Sequence, residues 1–471
     1  MDRRSFLKGT GAGVFGVAAG VVPMARARSA PGNYRVLEIN LRGGLSAFDT
    51  LLMSDRYRLA TTGTNDGVAQ ISQDVADDLA NGTVFTPVQV GPTSAHTDAA
   101  DTALGPLHTN PLCEDRWRIV CMQHGFNPHP VAVPLTLTGT GPGREVHAGM
   151  GAFVKEADRA GLLTGTAGVE PAYVFYTDRG VGPATTAASA NGLAGGSYPA
   201  LVRYNSSNTV DLDAFLRDPQ DSDGIVDALR QQYADRLQFT GDSTGLRSDE
   251  FASYQGSRDT LANATANLRS PLNAAQHSSG GTAAYNMVAT GLALLRNQSA
   301  RYVCVIHQPA WPHYDSHGWP NCANAPGAGR RTHGQLHRDL LAEALSGLDE
   351  LQAGDLDNIV IAVTTEFGRY KMDPGPQTLD SNSSHWTHGY AQLLIGGPTL
   401  SGSTQPLDDR VHGYISDGGV AQVSATDTTL GTHPSEFRAA VLYAAGIDAS
   451  TELRLTGATA PTLYDSLFKT I

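Results

Sequence analysis

The sequence of 471 residues is poor in basic side chains, and lysine is especially scarce. It contains 33 Lys and Arg residues against 46 Asp and Glu residues, which gives a formal net charge of −13 at pH 7. After Lys8, the lysines are Lys155, Lys371 and Lys469. The sequence has no basic stripe of the kind that neutralises phosphate groups along a nucleic acid. We therefore expect no nucleic-acid partner.

Long apolar runs and the common redox motifs are missing as well. A membrane-spanning helix needs about 20 predominantly apolar residues, and no segment after the N-terminal region meets that requirement. The first predicted strand is not followed by a GxGxxG pattern, and the sequence has no CxxCH haem-attachment motif, so an oxidoreductase lacks support. These absences favour a globular protein without a stable membrane span.

The N-terminal segment predicts export. Residues 1–8 read Met-Asp-Arg-Arg-Ser-Phe-Leu-Lys, which resembles the twin-arginine consensus. A weakly apolar, glycine-rich stretch at 11–24 follows, and then Ala25-Arg26-Ala27, which suits a cleavage site. A membrane anchor is the alternative, but this stretch is shorter than the roughly 20 residues of a spanning helix. We predict that residues 1–27 form a removable signal handled by the twin-arginine translocase, and that residues 28–471 work in the periplasm or outside the cell.

Removal of that segment makes the chain more acidic and places its cysteines in an oxidising compartment. It takes away four basic residues and Asp2, so the net charge changes from −13 to −16. Four cysteines remain, and they form neither a CxxC pair nor a Cys/His zinc spacing. An even number of exported cysteines can pair. Two disulfides are therefore possible, with the pairing left open among Cys113, Cys121, Cys304 and Cys322.

Short apolar runs alternate with helical or polar stretches along the chain. Buried strands are predicted at 34–41, 118–122, 172–176, 302–307, 358–364 and 391–395. Leucines at helical spacing between 336 and 351 predict a helix of about four turns between two of these strands. A second helix is predicted at 435–445, ended by Gly446. This alternation indicates a mostly parallel sheet with helices on its faces, and the polar, partly helical stretch 211–281 is predicted to be an insertion or lid.

Polar residues follow nearly every predicted strand. In an open parallel sheet the ligand site lies outside the carboxyl ends of the strands, so side chains at these positions are expected to meet. Carboxylates and imidazoles are suitable ligands for zinc, manganese or iron. The residues that follow strands are Ser46 and Asp49, His124 and His129, His313, Asp315 and His317, and Glu366 and Arg369. His385 and His388 instead precede the strand predicted at 391–395.

Spacing supports two of these pairs as shared ligands, and one residue, Arg369, keeps two possible roles. Asp315 and His317 are two residues apart, so on an extended segment they point to the same side and can share one ion. His385 and His388 suit one helical turn or a tight loop. Arg369 can bind an oxyanion with two hydrogen bonds, or it can pair with an acidic neighbour such as Glu366 or Asp373.

Several short motifs occur in a fixed order along the chain. They are Leu41-Arg42-Gly43-Gly44 with Ser46 and Asp49, Tyr314-Asp315-Ser316-His317-Gly318, Thr365-Glu366-Phe367-Gly368-Arg369, and His385-Trp386-Thr387-His388-Gly389 followed by Gly396-Gly397. Together these motifs resemble the domain-of-unknown-function family numbered 1501, a twin-arginine-exported, sulfatase-like branch of the alkaline phosphatase superfamily. The resemblance covers most of the chain.

The resemblance implies both a fold and a chemistry. The fold is an alkaline-phosphatase/sulfatase-like three-layer sandwich, whose relatives hold one or two metals at strand ends and transfer phosphoryl or sulfuryl groups. We expect a divalent-metal-dependent hydrolase of small anionic phosphate or sulfate esters, with Ser46 or Thr136 as the nucleophile and Arg369 in the catalytic set. The expected metal ligands are Asp49, His129, Asp315, His317, Glu366, His385 and His388.

Departures from the family pattern keep a second hypothesis open. Many members have an aspartate directly before the histidine that matches His385, and here that residue is Ser384. A Ser-His pair common in the family is replaced by Pro128-His129, and no cysteine lies in the Cys-x-Pro-x-Arg context that sulfatases convert to formylglycine. These differences favour the alternative of a catalytically inactive secreted binding or assembly protein on the same fold.

Overall fold

The structure is a computed structural model in which strands and helices alternate along the chain. It describes residues 33–47, 50–52, 107, 110–113, 116–140, 149–159, 163, 172–177, 200–204, 210–211, 270–277, 281–309, 314–315, 333–371, 383–397, 411–416, 419–424, 426–427 and 429–449. The strands are β1 (Arg35–Leu41), β2 (Trp117–Met122), β3 (Ala172–Thr177), β4 (Ala200–Tyr204), β5 (Val210–Asp211), β6 (Tyr302–His307), β7 (Ile359–Thr365), β8 (Gly368–Lys371), β9 (Ser383–Trp386), β10 (Tyr390–Gly396), β11 (Val411–His412), β12 (Tyr414–Ile415) and β13 (Ala421–Gln422). The α-helices are α1 (His129–Thr138), α2 (Met150–Arg159), α3 (Ser270–Ala275), α4 (Ala283–Arg296), α5 (His333–Leu345) and α6 (Pro434–Ala444), with 3₁₀ turns at Ser346–Glu350 and Asp355–Asp357.

One large sheet organises the fold. Its strand order is β11-β2-β10-β7-β1-β6-β3-β4-β5, and its pairings are parallel except where β10 and β5 join their neighbours. The strands β1, β2, β6 and β7 are buried along their whole lengths or nearly so. Continuous burial is typical of parallel strands that are covered on both faces.

Helices cover the two faces and give three layers. Leu37 and Ile39 on one side of β1 belong to the hydrophobic cluster that includes the apolar side chains of α4 and α5. Val36 on the other side belongs to a second cluster, formed with side chains of α2 and α6. None of the helices within the described ranges combines the length and the apolar character that crossing a membrane requires.

The predicted elements are confirmed where the structure describes them. All the predicted strands are present, with ends that differ by no more than one residue. The predicted four-turn helix is α5 with the 3₁₀ turn that follows it. The C-terminal helix α6 begins with a capping box between His433 and Glu436, and Gly446 lies beyond its end with φ of 92°. The signal segment 1–27 and most of the predicted insertion 211–281 lie outside the described residues.

The possible disulfides are not formed among the cysteines that the structure describes. These cysteines are Cys113, Cys121 and Cys304, and their side chains have no solvent exposure. Cys121 is on β2 and Cys304 is on β6, and β10, β7 and β1 lie between these strands. Four strand spacings of about 4.8 Å separate the two thiols far more than the roughly 7 Å limit for bridged Cα atoms. Burial raises the pKa of Cys121 to about 12, so these thiols pack as apolar side chains.

A charged pair is buried on the face of the sheet that α6 covers. Glu38 on β1 is 0% exposed, and it pairs with Arg438 of α6, which is 2% exposed. Tyr302 donates a 2.6 Å hydrogen bond to the Glu38 carboxylate, and Thr364 donates one of 2.9 Å. Arg438 also donates through Nε to the carbonyl of Thr136 in α1. The pair therefore joins β1, β6, β7, α1 and α6.

Replacing Glu38 with Gln is expected to lower the free energy of unfolding by about 3–5 kcal/mol, because Arg438 keeps its charge without a buried counter-charge. Urea unfolding at pH 7 measures the change. Asp357→Asn is the matched control, because it breaks a 2.5 Å ion pair with Arg116 in which Asp357 is 56% exposed, and exposed pairs contribute about 0–1 kcal/mol. Equal losses in the two variants would contradict the assignment of Glu38 as a buried anchor.

The pH dependence of stability should carry a contribution from His412. Burial, helped by the charge of Arg118, lowers the pKa of His412 to about 4 in the folded chain, against about 6.5 when unfolded. The unfolded chain therefore takes up a proton first as the pH falls, so the folded state loses stability from about pH 6.5 down to about pH 4. Between pH 7 and pH 4.5, this titration should lower the free energy of unfolding of the wild type on the order of 1–3 kcal/mol. His412→Gln should lack that contribution when unfolding is measured at both pH values. An identical pH profile in both proteins would show that His412 titrates normally.

Candidate functional site

The candidate site lies at the carboxyl ends of the parallel strands, where the sequence predicts it. In the register of the sheet, Leu41 at the end of β1 pairs with His307 of β6 on one side and with Thr365 of β7 on the other. These strands therefore end level with one another. The segments that follow them supply Gly43, Asp315 and Glu366, which the sheet brings together from distant parts of the chain.

Three predicted ligands form a cluster at this edge. His129, Asp315 and His385 each offer a ligand atom, and these atoms all lie within 4.8 Å of one another. Nε2 of His129 is 3.3 Å from Oδ2 of Asp315. The rings of His129 and His385 meet edge to face, with centroids 4.5 Å apart. The cluster combines two imidazoles and one carboxylate, and all three residues are partly exposed.

Glu366 lies behind His129. It is 2% exposed, and its Oε2 is 2.8 Å from Nδ1 of His129. Its other carboxylate oxygen accepts a 2.6 Å hydrogen bond from the backbone N–H of Gly43. Both oxygens are thus engaged, so the geometry gives Glu366 the part of a carboxylate that orients an imidazole ligand.

His385 is oriented by a residue that the sequence analysis missed. Its Nδ1 is 2.8 Å from the backbone carbonyl oxygen of Asn127 and 2.9 Å from the side-chain oxygen of the same residue. A carbonyl oxygen can only accept, so Nδ1 carries the hydrogen and Nε2 carries the lone pair. Asn127 is two residues before His129, and that proximity to a candidate ligand was the signal available in the sequence.

Arg369 holds the carboxylate of the cluster in place. Its Nη2 donates a 2.5 Å hydrogen bond to Oδ1 of Asp315, and its Nε donates a 2.8 Å bond to the carbonyl of Gly43. Asp315 is therefore an acidic partner of Arg369, whereas Asp373 lies outside the described residues. Because β8 and β9 pair with Arg369 opposite His385, one hairpin positions both residues.

Phe367 forms the apolar wall behind the two imidazoles. Its side chain is fully buried, and its ring stacks on His385 with centroids 4.1 Å apart. The same ring lies 5.0 Å from the ring of His129. The Thr-Glu-Phe-Gly-Arg motif thus provides a carboxylate, a ring and a guanidinium, each of which contacts a member of the cluster.

Opposite charges stabilise the contact between His129 and Asp315. Burial opposes a positive charge on His129, but the adjacent carboxylates of Asp315 and Glu366 raise its pKa to about 9. Burial also acts against the ionised form of Asp315, yet His129 and Arg369 together hold its pKa well below the usual range. A positive charge beside Asp315 is therefore strongly favoured at neutral pH.

The donor set fits a divalent metal ion. The Glu366 carboxylate favours the hydrogen of His129 on Nδ1, which leaves Nε2 to face Asp315. Nε2 is buried and lies 3.3 Å from Oδ2 of Asp315. Two imidazole nitrogens and one carboxylate oxygen suit zinc, iron or manganese, and a site with three protein ligands leaves positions open.

The remaining predicted site residues lie elsewhere or outside the described residues. The side chain of His388 is exposed and lies against Trp386, with ring centroids 5.3 Å apart, rather than in the cluster. Ser46 is 2% exposed, and its backbone N–H donates to Nδ1 of His337. Thr136 is buried two turns along α1 from His129, with Oγ1 3.5 Å from the carbonyl oxygen of Thr365. Asp49, His313 and His317 fall outside the described residues.

Two glycines allow the backbone to approach the cluster this closely. Gly43 has φ of 122°, and a Cβ built on it would lie 2.6 Å from the backbone nitrogen of Asp315. Gly44 has φ of 89°, and its Cβ would lie 2.7 Å from the ring of Phe367. Any other residue would push these two groups away.

Gly43→Ala is expected to destabilise the protein by at least about 3 kcal/mol, because strain at positive φ adds to a steric conflict with the backbone of Asp315. Thermal and urea unfolding measure the loss. Gly354→Ala is the matched control: Gly354 has φ of 88°, and its Cβ would have no atom within 4 Å. It should lose only the roughly 1–2 kcal/mol of the unfavourable backbone conformation. Equal losses in the two variants would show that the contact with Asp315 is unimportant.

Comparisons with known proteins agree with the resemblance at the level of the family. The family described as "Protein of unknown function (DUF1501)" matches residues 33–462 of the chain. No curated protein matches the sequence. Among solved structures the chain is similar to one titled "Crystal structure of Ps i-CgsB", with 9% identity, coverage of 93% of this chain and 77% of that chain, and a TM-score of 0.36. Because the family match covers far more than half of the 471 residues, the chain belongs to the DUF1501 family of proteins of unknown function.

Proposed function

We propose that this protein is an exported, metal-dependent hydrolase of small phosphate or sulfate esters, on a fold of the alkaline-phosphatase and sulfatase type. The observation that carries the proposal is the convergence of His129, Asp315 and His385, whose ligand atoms lie within 4.8 Å of one another. The predicted twin-arginine signal at residues 1–27 supports work in the periplasm or outside the cell. The mostly parallel sheet with its site at the strand ends supports the fold assignment.

The residues around the cluster have separate tasks in this proposal. His129, Asp315 and His385 hold the metal ion, and Glu366 and Asn127 orient the two imidazoles. Arg369 fixes Asp315 through a 2.5 Å hydrogen bond, so we assign it a positioning role. A bound divalent ion would supply Lewis acidity toward the ester oxygens. The partial exposure of all three ligands leaves the site accessible to a small anionic ester.

We propose water as the nucleophile rather than either predicted hydroxyl group. Thr136 is 1% exposed, and its hydroxyl group is directed toward the carbonyl of Thr365. Ser46 is buried, and its backbone is tied to His337 and Thr50. A divalent ion held by His129, Asp315 and His385 would lower the pKa of water at the site, so a side-chain nucleophile would not be needed.

A catalytically inactive binding or assembly protein is the second candidate. The buried positions of Ser46 and Thr136 favour it, as does Pro128, which is the N-cap of α1 where many family members have a serine. This candidate keeps the metal ion as a structural or ligand-binding centre. It differs from the first in predicting metal without turnover.

The test combines metal analysis with an ester screen. Protein purified from the periplasm should contain about one equivalent of zinc, manganese or iron, and it should hydrolyse a chromogenic phosphate or sulfate ester. His385→Gln should lose about 100-fold or more in metal affinity and lose all turnover, because it removes a ligand. Metal content is measured by mass spectrometry, and turnover is measured with phosphate monoesters, phosphate diesters and sulfate esters.

His388→Gln is the matched control. It changes the same residue type three positions later, and its exposed side chain lies outside the cluster. It should keep wild-type metal content and wild-type turnover. Wild-type protein without stoichiometric metal would contradict the proposal, and metal without turnover of any ester would favour the second candidate.

A further inference from the structure

His124 lies in the loop between β2 and α1, outside the cluster, and it uses both of its ring nitrogens. Its Nε2 is 2.6 Å from the backbone carbonyl oxygen of Glu366. Its Nδ1 accepts a 2.9 Å hydrogen bond from the backbone N–H of Phe126. The side chain is 8% exposed, and its ring meets the ring of Tyr390 edge to face.

These two partners determine the tautomer of His124. A carbonyl oxygen can only accept, so Nε2 must carry the hydrogen, and a backbone N–H can only donate, so Nδ1 must carry the lone pair. A second proton would break the bond to Phe126. Burial lowers the pKa of His124 to about 4, which agrees with a neutral ring at the pH of any ordinary environment.

The position of His124 connects two groups that orient the candidate ligands. Its loop continues to Asn127, which bonds His385, and to His129 at the start of α1. Its other partner is the backbone of Glu366, whose carboxylate bonds His129. The backbone N–H of His124 also donates to the carbonyl of Thr387, two residues after His385. One side chain therefore ties the loop to the strand end that holds the other half of the site.

We propose that His124 is a positioning residue for the metal site, which sets the separation of His129 and His385 by holding the 124–129 loop against Glu366. This inference rests on the proposed function. His124 touches neither the metal ion nor the substrate in this role. It acts through Asn127 and Glu366, and it needs both of its hydrogen bonds to do so.

Two conservative substitutions separate the two bonds. In His124→Asn, the side-chain oxygen can take the place of Nδ1 and keep the bond to Phe126, while the bond to Glu366 is lost. In His124→Gln, the side-chain amide can reach the carbonyl of Glu366, while the bond to Phe126 is lost. Each variant should bind zinc about 10- to 100-fold more weakly than the wild type, the range seen when groups that orient ligands are altered. The visible spectrum of the cobalt-loaded variants should change, because the two imidazoles no longer meet at the same separation.

His412→Gln is the control for the loss of a neutral, partly buried histidine. His412 pairs with Val120 at the sheet edge, and its pKa is lowered by burial in the same way. Its variant should keep wild-type zinc affinity and the wild-type cobalt spectrum. Zinc affinity within about twofold of wild type in both His124 variants overturns this inference alone, and absence of zinc binding by the wild type overturns the proposed function with it.

Nitrogen NMR of the wild-type protein provides a test that does not depend on folding of the variants. His124 should show the neutral, Nε2-protonated pattern at pH 7, because its partners permit no other. An imidazolium or an Nδ1-protonated ring would overturn the inference.

Discussion

A carboxylate buried at the centre of a sheet needs a compensating charge, and in this chain Arg438 supplies it to Glu38. The pair is deeply buried, so it is screened very little by solvent. Arg438 lies on α6 and also holds the carbonyl of Thr136 on α1. Since α1 begins with His129, the buried charge connects the sheet to the helix that presents a candidate ligand.

The site is built outward from this anchored framework in successive layers. The parallel sheet brings the ends of β1, β6 and β7 level. Glu366, Asn127 and Arg369 then each contact one member of the His129–Asp315–His385 cluster. Positive φ at Gly43 lets the backbone reach both Glu366 and Arg369. Each layer restricts the rotamers of the next, which is the arrangement that a preorganised metal site requires.

The His385-Trp386-Thr387-His388-Gly389 motif illustrates how one run of residues divides between chemistry and packing. His385 belongs to the cluster, whereas Trp386 donates a 2.7 Å hydrogen bond to the carbonyl of Gly419. The carbonyl of Thr387 accepts from His124, and that of His388 accepts from Ala421. A Cβ on Gly389 would lie 1.9 Å from the carbonyl oxygen of Gly419. Most of the motif therefore stabilises the turn that positions His385. The spacing of the residues in the sequence does not reveal this division.

Local patterns in the sequence determined the strands and the main helices, because apolar periodicity and helix-capping residues act over a few positions. Short motifs likewise indicated the DUF1501 family. They also placed His129, Asp315 and His385 after strand ends or beside them. Only the tertiary structure decided that these three meet, that Glu366 stands behind His129, and that the cysteines on β2 and β6 are too far apart to pair. The physical reason is that strand order and side-chain direction depend on contacts between residues hundreds of positions apart, and the linear sequence does not record those distances.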